Sequence, residues 1–339
     1  MSKYEVNIDI ANEAKKQIKD ILATEDRRVL NKVGAFASLY DFTGLPYKNP
    51  ILVMKTEEPG SKQLIAAQYD RLEGVCFDMI NHLINDVIVM GATPLVIQDA
   101  IICGKLDKAK ITRLVNAMAR AAGDQGCALV GGETSEQPGV IPDDVFILTS
   151  CLVGVVDRDA LIDGSSISVG DVVLSLASSG VHTNGYTLVR RIMKECPAIM
   201  EETVDGRTFI DAILEPHRCY YSALKDLFDS GLIKGMAHIT GGGIRENLDR
   251  ILPAGVDAEI DLSSYRIPAI FKLLKDYGDV DDSEMLRTFN LGCGLALVCG
   301  PEAAGGLIER FEKLSIGCGV IGRIAPGSGK VTTKGRLRW

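Results

Sequence analysis

No apolar run in this chain reaches the length of about 18 residues that a membrane-spanning helix needs. The opening Met1-Ser2-Lys3-Tyr4-Glu5 leads into acidic, polar sequence, which predicts no secretory signal. CxxC pairs are missing, and the nine scattered cysteines, an odd number, predict reduced thiols in a cytoplasm. The four histidines lack ligand spacing, so no zinc site is expected. Basic residues are too few for a nucleic-acid backbone to be the main partner, because 37 Lys and Arg against 45 Asp and Glu leave a net charge of −8. That balance still permits a small anionic ligand held locally by lysine, metal and backbone N–H groups. Neither GxxxxGK[ST], GxGxxG nor GxSxG occurs, so a P-loop, a dinucleotide fingerprint and a nucleophile elbow are not asserted.

What is present begins at Thr56-Glu57-Glu58-Pro59-Gly60-Ser61-Lys62, acids and a glycine directly before a lysine. A helix expected over 74–90 follows. Asp78, His82, Asn85 and Asp86 stand at i, i+4, i+7 and i+8, one helical face. Val75, Met79, Ile80, Leu83, Ile84 and Val87 fill most of the remaining circumference and predict a largely buried helix. Buried carboxylates need a partner, and no lysine or arginine follows Arg71 in this segment, so a cation from outside the chain is expected. Mg²⁺ suits oxygen ligands. The alternative is a stripe that caps neighbouring backbone or faces water.

At 339 residues, 46% hydrophobic and 24% charged, the chain predicts about two globular domains. Helical spacing predicts an amphipathic first helix over 8–22, and short strands are expected over 33–40 and 49–54. A strand over 94–102 carries Asp99 among valines and isoleucines. A helix over 108–124 stops before Gly126, a strand over 128–130 feeds the loop 131–139, and a strand over 146–156 is apolar enough to be covered on both faces. Periodicity lapses between 157 and 170, which sets domains of 1–165 and 166–339. The second half predicts strands over 172–176, 295–299 and 319–324, with helices from 186 and over 220–230, 244–252, 267–277 and 301–314. Interleaved strands and helices in both halves indicate two α/β or α+β domains.

Glycine-rich turns that end strands and begin helices let backbone N–H groups approach phosphate oxygens. Three stretches have this character: Gly131-Gly132-Glu133-Thr134, Gly180 through Gly185, and Gly241-Gly242-Gly243. Steric demands of tight turns are the simpler explanation for any one of them. His182 and His238 sit in or beside such loops and are candidates for ligand contact. His82, on the buried helix, reads as structural, and His217 beside Arg218 reads as a surface residue at a helix start.

Asn85-Asp86 followed by Gly91-Ala92-Thr93-Pro94, Gly104-Lys105-Leu106-Asp107, Val130-Gly131-Gly132-Glu133-Thr134, the run Ser178 to Tyr186, His238-Ile239-Thr240-Gly241-Gly242-Gly243 with Glu246-Asn247, and the block Glu284 to Gly294 appear in that order. Together they make the chain resemble the phosphoribosylformylglycinamidine cyclo-ligases almost end to end. The resemblance implies a two-domain synthetase fold whose N-terminal mixed-sheet domains pair two subunits through a barrel-like core. It implies that nucleotide and substrate meet in a cleft between the domains. It also implies ATP and Mg²⁺ as cofactors and formylglycinamidine ribonucleotide as substrate, closed to aminoimidazole ribonucleotide with release of ADP and phosphate. By the same resemblance Glu57, Asp86 and Asp99 provide metal or phosphate environments, with Asp78 near them. Gly60, Ser61 and Lys62 meet nucleotide phosphates, and Gly131, Gly132, Glu133 and Thr134 line the nucleotide. His182, Thr183, Asn184 and Gly185 meet the transferring phosphoryl group or the substrate, and Thr240, Gly241, Gly242, Gly243 and Asn290 form the C-terminal wall. Lys62, Asp86, His182 and Asn184 are the expected catalytic residues.

One departure stands out. The family's Asp-Gly-Val-Gly-Thr-Lys is Glu57-Glu58-Pro59-Gly60-Ser61-Lys62 here. The extra methylene of Glu57 moves its carboxylate by about an ångström or more, and Pro59 removes a backbone donor. A glycine-rich segment is also thinner, with Ala35 and Ala37 around Phe36. Selenophosphate synthetases want an N-terminal reactive cysteine, and the first here is Cys76. The hydrogenase-maturation relatives want a C-terminal cysteine, and this chain ends Arg336-Leu337-Arg338-Trp339. Thiamine-monophosphate kinases lack the block Arg287-Thr288-Phe289-Asn290. Another ATP-dependent kinase or synthetase on this scaffold, and a nucleotide-binding regulator without turnover, are the alternatives.

Overall fold

The computed structural model describes residues 21–22, 26–30 and 36–339. The expected helix over 8–22 lies outside them apart from its last two residues. So do positions 33–35 of the expected strand over 33–40, whose remainder holds a single bridge, Val29 to Tyr40. The chain divides into two compact units, 1–87 with 93–158, and 88–92 with 159–339.

The first unit carries a four-stranded sheet built from β1 (Pro50–Glu57), β2 (Thr93–Cys103), β3 (Ala128–Glu136) and β4 (Phe146–Asp157), in the order β1-β4-β2-β3. α1 (Lys62–Gln68) and α2 (Leu72–Ile88) join β1 to β2, and α3 (Lys108–Gly123) joins β2 to β3. β2 and β3 run parallel, which requires a long crossover, and α3 is that crossover. Asp107 caps α3 by accepting from Lys110 N at 3.0 Å. α2 is the core of the unit: Val75, Met79, Ile80, Leu83, Ile84 and Val87 are all fully buried, as the apolar circumference predicts. It packs on one sheet face, where Ser150 Oγ reaches Met79 Sδ at 3.4 Å. Among the described residues β1 is an edge strand, antiparallel to β4 alone, and it alternates exposed with half-buried positions. β4 buries one face only; the other is half-buried, so the expectation of full cover on both faces fails.

Residues 131–134 are a correction. They continue β3 in parallel register with β2, Gly131 opposite Gln98 and Thr134 opposite Ile101, so this stretch is strand and no helix follows it. The glycine at 132 has a packing reason, because a Cβ there would run into the carboxylate of Asp99.

The second unit holds a six-stranded mixed sheet. Its strands are β5 (Val172–Ala177), β8 (Ile233–His238), β9 (Val256–Asp261), β10 (Cys293–Cys299), β11 (Cys318–Pro326) and β12 (Val331–Lys334), ordered β12-β9-β11-β5-β10-β8; β6 (Thr203–Val204) and β7 (Arg207–Thr208) form a separate small hairpin. Helices α4 (Tyr186–Glu195), α5 (Phe209–Ile213), α6 (Tyr221–Leu224), α7 (Gly243–Leu248), α8 (Ala269–Gly278), α9 (Asp282–Thr288) and α10 (Pro301–Lys313) connect them. β10 is buried along its whole length between β5 and β8. The helix expected over 220–230 is one turn of α-helix followed by a tighter 3₁₀ segment, Lys225–Ser230. Because β10 is antiparallel to both neighbours, the loops after β5 and β8 and the segment before β10 emerge at the same end of these three strands.

Candidate functional site

In the first unit the residues that matter come from β1 and α2. Lys55 Nζ lies 3.1 Å from Glu57 Oε2 and 3.0 Å from Asp86 Oδ2. His82 Nε2 stands 3.6 Å from each of the same two oxygens. Lys55 and Glu57 share a strand face by the twofold period of β1, and His82 and Asp86 share a helix face by i, i+4 spacing. Burial pulls the Lys55 pKa down, but Asp86 and Glu57 outweigh it and hold the ammonium above its ordinary range.

The premise that the chain offers the acids of α2 no cation of its own is therefore corrected. Asp86 has Lys55, and Asp78 has Lys62. Lys62 Nζ contacts both Asp78 oxygens at 2.8 Å, and neither side chain has any exposure. Lys62 is accordingly no mobile charge for phosphates, since burial and this pairing fix it inside the unit. Its helix, α1, has Ser61 at the N-cap without a side-chain bond.

Asp99 is not brought to the Glu57–Asp86 pair. Glu57 faces Ser150 across β1 and β4, Ser150 faces Asp99 across β4 and β2, and Asp99 faces Gly132 across β2 and β3. The four make one transverse row, which sets Asp99 two strands, ~10 Å, from Glu57. Asp99 is buried, and burial pushes its carboxyl up to about 7. Glu133 is exposed, and its Oε1 accepts from Thr134 N at 3.1 Å.

In the second unit the loop 178–185 carries His182 at a φ of 64°. That left-handed backbone is uncommon for a side chain with Cβ, and contacts hold it in place. Asn290 Nδ2 donates to Gly180 O at 3.0 Å and Val181 O at 3.2 Å, while Asn290 Oδ1 accepts from Gly292 N at 2.8 Å. Asn290 is thus a brace behind the loop, which corrects its expected place on a ligand-facing wall. Gly185, the N-cap of α4, has φ 82°, and a Cβ there would strike the Phe289 ring. Asn247 does for residues 240–243 what Asn290 does for 180–181, donating to Gly241 O at 3.1 Å and Gly243 O at 2.8 Å. Asn184 Nδ2 lies beside Gly241, 3.4 Å from where a Cβ would stand.

His217, read from sequence as a surface residue, is 1% exposed. Its ring stacks on His182 with centroids 3.8 Å apart and planes 20° apart, and its Nε2 lies 2.9 Å from His238 Nε2. Thr183 Oγ1 is 3.4 Å from His217 Nδ1. Ser179 Oγ donates to Pro216 O at 2.7 Å and ties this segment to the loop. The charged neighbour Arg218 hid the burial of His217. The local signal that could have revealed it is its place between Ala212-Ile213-Leu214 and Cys219-Tyr220-Tyr221. Burial raises the thiols of Cys219, Cys293 and Cys318 to about 12, so none is a nucleophile at neutral pH. All nine cysteines are free.

Two family models match the chain: the N-terminal domain of AIR synthase related proteins over residues 45–156 and their C-terminal domain over 168–334. The chain is similar to the phosphoribosylformylglycinamidine cyclo-ligase of Methylobacillus flagellatus, with 41% identity covering 90% of this chain and 88% of that one. The enzyme of the same name from Caldanaerobacter subterraneus is 40% identical over 96% of this chain and 97% of its own. Among solved structures, E. coli HypE superposes with a TM-score of 0.71 at 17% identity, covering 96% of this chain and 94% of that one. Thiamine-monophosphate kinase from Stenotrophomonas maltophilia does so at 0.68 and 19%, covering 95% and 96%. Identities that low show a common fold and nothing finer.

Proposed function

The chain belongs to the phosphoribosylformylglycinamidine cyclo-ligase family, and from that premise we propose that it closes the imidazole ring of aminoimidazole ribonucleotide in purine biosynthesis. Formylglycinamidine ribonucleotide and ATP are the substrates, and ADP and phosphate leave with the product. The observation that carries this reading is identity of 40% sustained over 331 residues, through both domains, with relatives of that name.

ATP converts the formyl oxygen into a phosphate leaving group, and the amidine nitrogen then bonds to that carbon. The task left to the protein is positioning and charge neutralisation. The Glu57–Asp86 pair fits a divalent ion: both are hard oxygen donors, and both already converge on one cation, the Lys55 ammonium. Mg²⁺ held there would neutralise phosphate charge. Gly60, Ser61 and residues 131–134 serve the nucleotide. His182, Thr183, Asn184 and Gly185, with Thr240 to Gly243, serve the substrate and the transferring group. Asn290 and Asn247 keep those two loops in shape. Lys62 and Asp99 are left out of this set, the first by its pairing with Asp78 and the second by its distance from Glu57.

A second copy of the chain is the proposed partner, on the edge of β1 that no other described strand covers, where Leu52 is 53% and Met54 68% exposed. A cytoplasmic setting fits the nine free thiols. Among the described residues no helix is long and apolar enough to cross a membrane.

The test is incubation of the pure protein with formylglycinamidine ribonucleotide and MgATP. ADP release that depends on the ribonucleotide, with an imidazole product, supports the cyclo-ligase. ATP binding without either product overturns it in favour of a regulator.

A further inference from the structure

Three of the four histidines of this acidic chain are buried together in the second unit: His182, His217 and His238 are 2%, 1% and 5% exposed. One nitrogen from each lies within 4.8 Å of the others. That spacing admits a metal ion, but the ring orientations oppose it. Imidazole lone pairs lie in the ring plane, and His182 and His217 are stacked face to face with planes 20° apart, so their lone pairs run side by side and do not converge. His182 Nε2 also accepts the N–H of Ser179 at 3.2 Å, which puts the His182 proton on Nδ1.

Hydrogen bonding accounts for the other two. His217 and His238 approach through Nε2 and Nε2 at 2.9 Å, a separation that requires one proton between two nitrogens. The second nitrogen of His217 faces the Thr183 hydroxyl at 3.4 Å. A neutral imidazole donates from one nitrogen and accepts at the other. If His217 Nε2 holds the proton, His217 Nδ1 accepts from Thr183. If His238 holds it, His217 Nδ1 donates to Thr183. The chain Thr183–His217–His238 therefore has two polarities, interconverted by moving protons with little motion of heavy atoms.

We propose that this chain is a proton relay, with His217 as its middle member, that takes up the proton released on ring closure; the inference rests on the cyclo-ligase reading above. As the amidine nitrogen donates its lone pair to the formyl carbon, the carbon–oxygen bond breaks and its electrons leave with phosphate. The nitrogen then sheds one proton to Thr183 Oγ1. The hydroxyl proton of Thr183 moves to His217 Nδ1, and the Nε2 proton of His217 moves to His238 Nε2. One proton leaves the substrate and one arrives on His238. Stacking on His182 keeps the His217 ring in the plane this transfer needs, and the tie from Ser179 to Pro216 fixes the backbone before it.

The experiment compares wild type, His217→Phe, His217→Ala and Thr183→Val in the ring-closure assay. His217→Phe keeps the stacking and the volume but removes both nitrogens. It is expected to lower kcat about a hundredfold with KM for both substrates unchanged. His217→Ala is expected to lose as much and to recover with added imidazole but not with 1-methylimidazole, which has a lone pair yet no second proton to pass on. Recovery with both additives, or full kcat in His217→Phe, overturns the relay and leaves a packing role. Stoichiometric metal in the wild type that is lost in His217→Ala also overturns it. If His217→Phe does not fold, Thr183→Val carries the decision: a loss of kcat at unchanged KM supports the relay and an unchanged kcat overturns it. Failure of the wild type to form product sinks the cyclo-ligase reading, whereas an active wild type with an active His217→Phe sinks the relay alone.

Discussion

Lys55 and Asp86 meet at 3.0 Å, although one lies on the edge strand β1 and the other near the end of α2. Glu57 touches the same ammonium at 3.1 Å. A lysine thus stands where two carboxylates would otherwise face each other, and a divalent ion must compete with it or bind beside it.

Mg²⁺ is therefore expected to raise the melting temperature of the wild type and to raise that of Lys55→Met more. At a hundredfold excess over Kd the stabilisation amounts to about 2.7 kcal/mol. Asp86→Asn and Glu57→Gln should abolish the shift while changing metal-free stability little, since both groups are partly exposed. Asp86→Asn should also depress turnover far more than stability. Melting curves with and without MgCl₂ decide this, and an unaltered shift in Asp86→Asn would remove these two acids from the metal site.

Lys62 and Asp78 behave in the opposite way. Both are wholly buried, so Lys62→Met or Asp78→Leu strands one charge in the core and should cost about 3–5 kcal/mol. Replacing both, Lys62→Met with Asp78→Leu, should restore most of that loss. Urea denaturation of the two single variants and the double variant measures the coupling. Additive losses in the double variant would mean that the pair is not a pair.

The contrast shows what local pattern can and cannot reveal. The acidic face of α2 and its apolar surroundings follow from helical periodicity, and the loops at 178–185 and 239–243 follow from their glycine clusters. Lys55 and Lys62 were invisible as partners because they precede α2 in the chain, and only folding brings β1 and α1 to its acids. Glycine misled at 131–134, where parallel pairing with β2 imposes a strand on residues that prefer turns. Asn290 is placed on a ligand-facing wall by the family resemblance alone, which carries no information on what its amide bonds. Its amide instead satisfies carbonyls more than a hundred residues away in sequence.

Asp99 gives the fold a pH dependence of its own. Its carboxyl is raised to about 7 by burial, above its ordinary 3.8, so the folded state holds a proton that the unfolded state has released. Between those values the unfolded chain binds fewer protons, and stability falls as pH rises; above about 7 both states are ionised and the slope vanishes. The full effect is on the order of 4 kcal/mol. Asp99→Asn is neutral throughout, so the stability of wild type relative to this variant should decline from pH 4 to 7 and then level off. Urea unfolding of both proteins in magnesium-free buffer tests this, and a difference that rises with pH would contradict the burial.

Removing the brace at Asn290 should damage the loop and its chemistry together. Asn290→Ala leaves the carbonyls of Gly180 and Val181 without their donor, a cost of about 1–3 kcal/mol each at most. With the left-handed backbone at His182 no longer held, kcat should fall more than tenfold. Asn290→Asp, which keeps the acceptor for Gly292 but lacks the donor, should behave like alanine. Chemical denaturation and steady-state kinetics report the two losses, and an active, stable Asn290→Asp would show that the donor is dispensable.

β1 raises a question of solubility that bears on assembly. An edge strand with free backbone donors and large apolar side chains invites pairing with another strand. Leu52 and Met54 point outward on this one, and Lys55, the basic residue that alternates with them, is turned toward Glu57 and Asp86. Apart from Pro50 at its start, the exposed face of β1 carries only Leu52, Met54 and Thr56, with no charge to blunt the edge. Leu52→Lys with Met54→Glu places opposite charges there without touching the core, so the folded subunit should keep its circular-dichroism spectrum and melting point. The mass measured by light scattering should drop from that of two chains to one. A variant that stays at the mass of two chains would move the interface elsewhere, and a wild type that runs as a single chain would remove the second copy from this edge altogether.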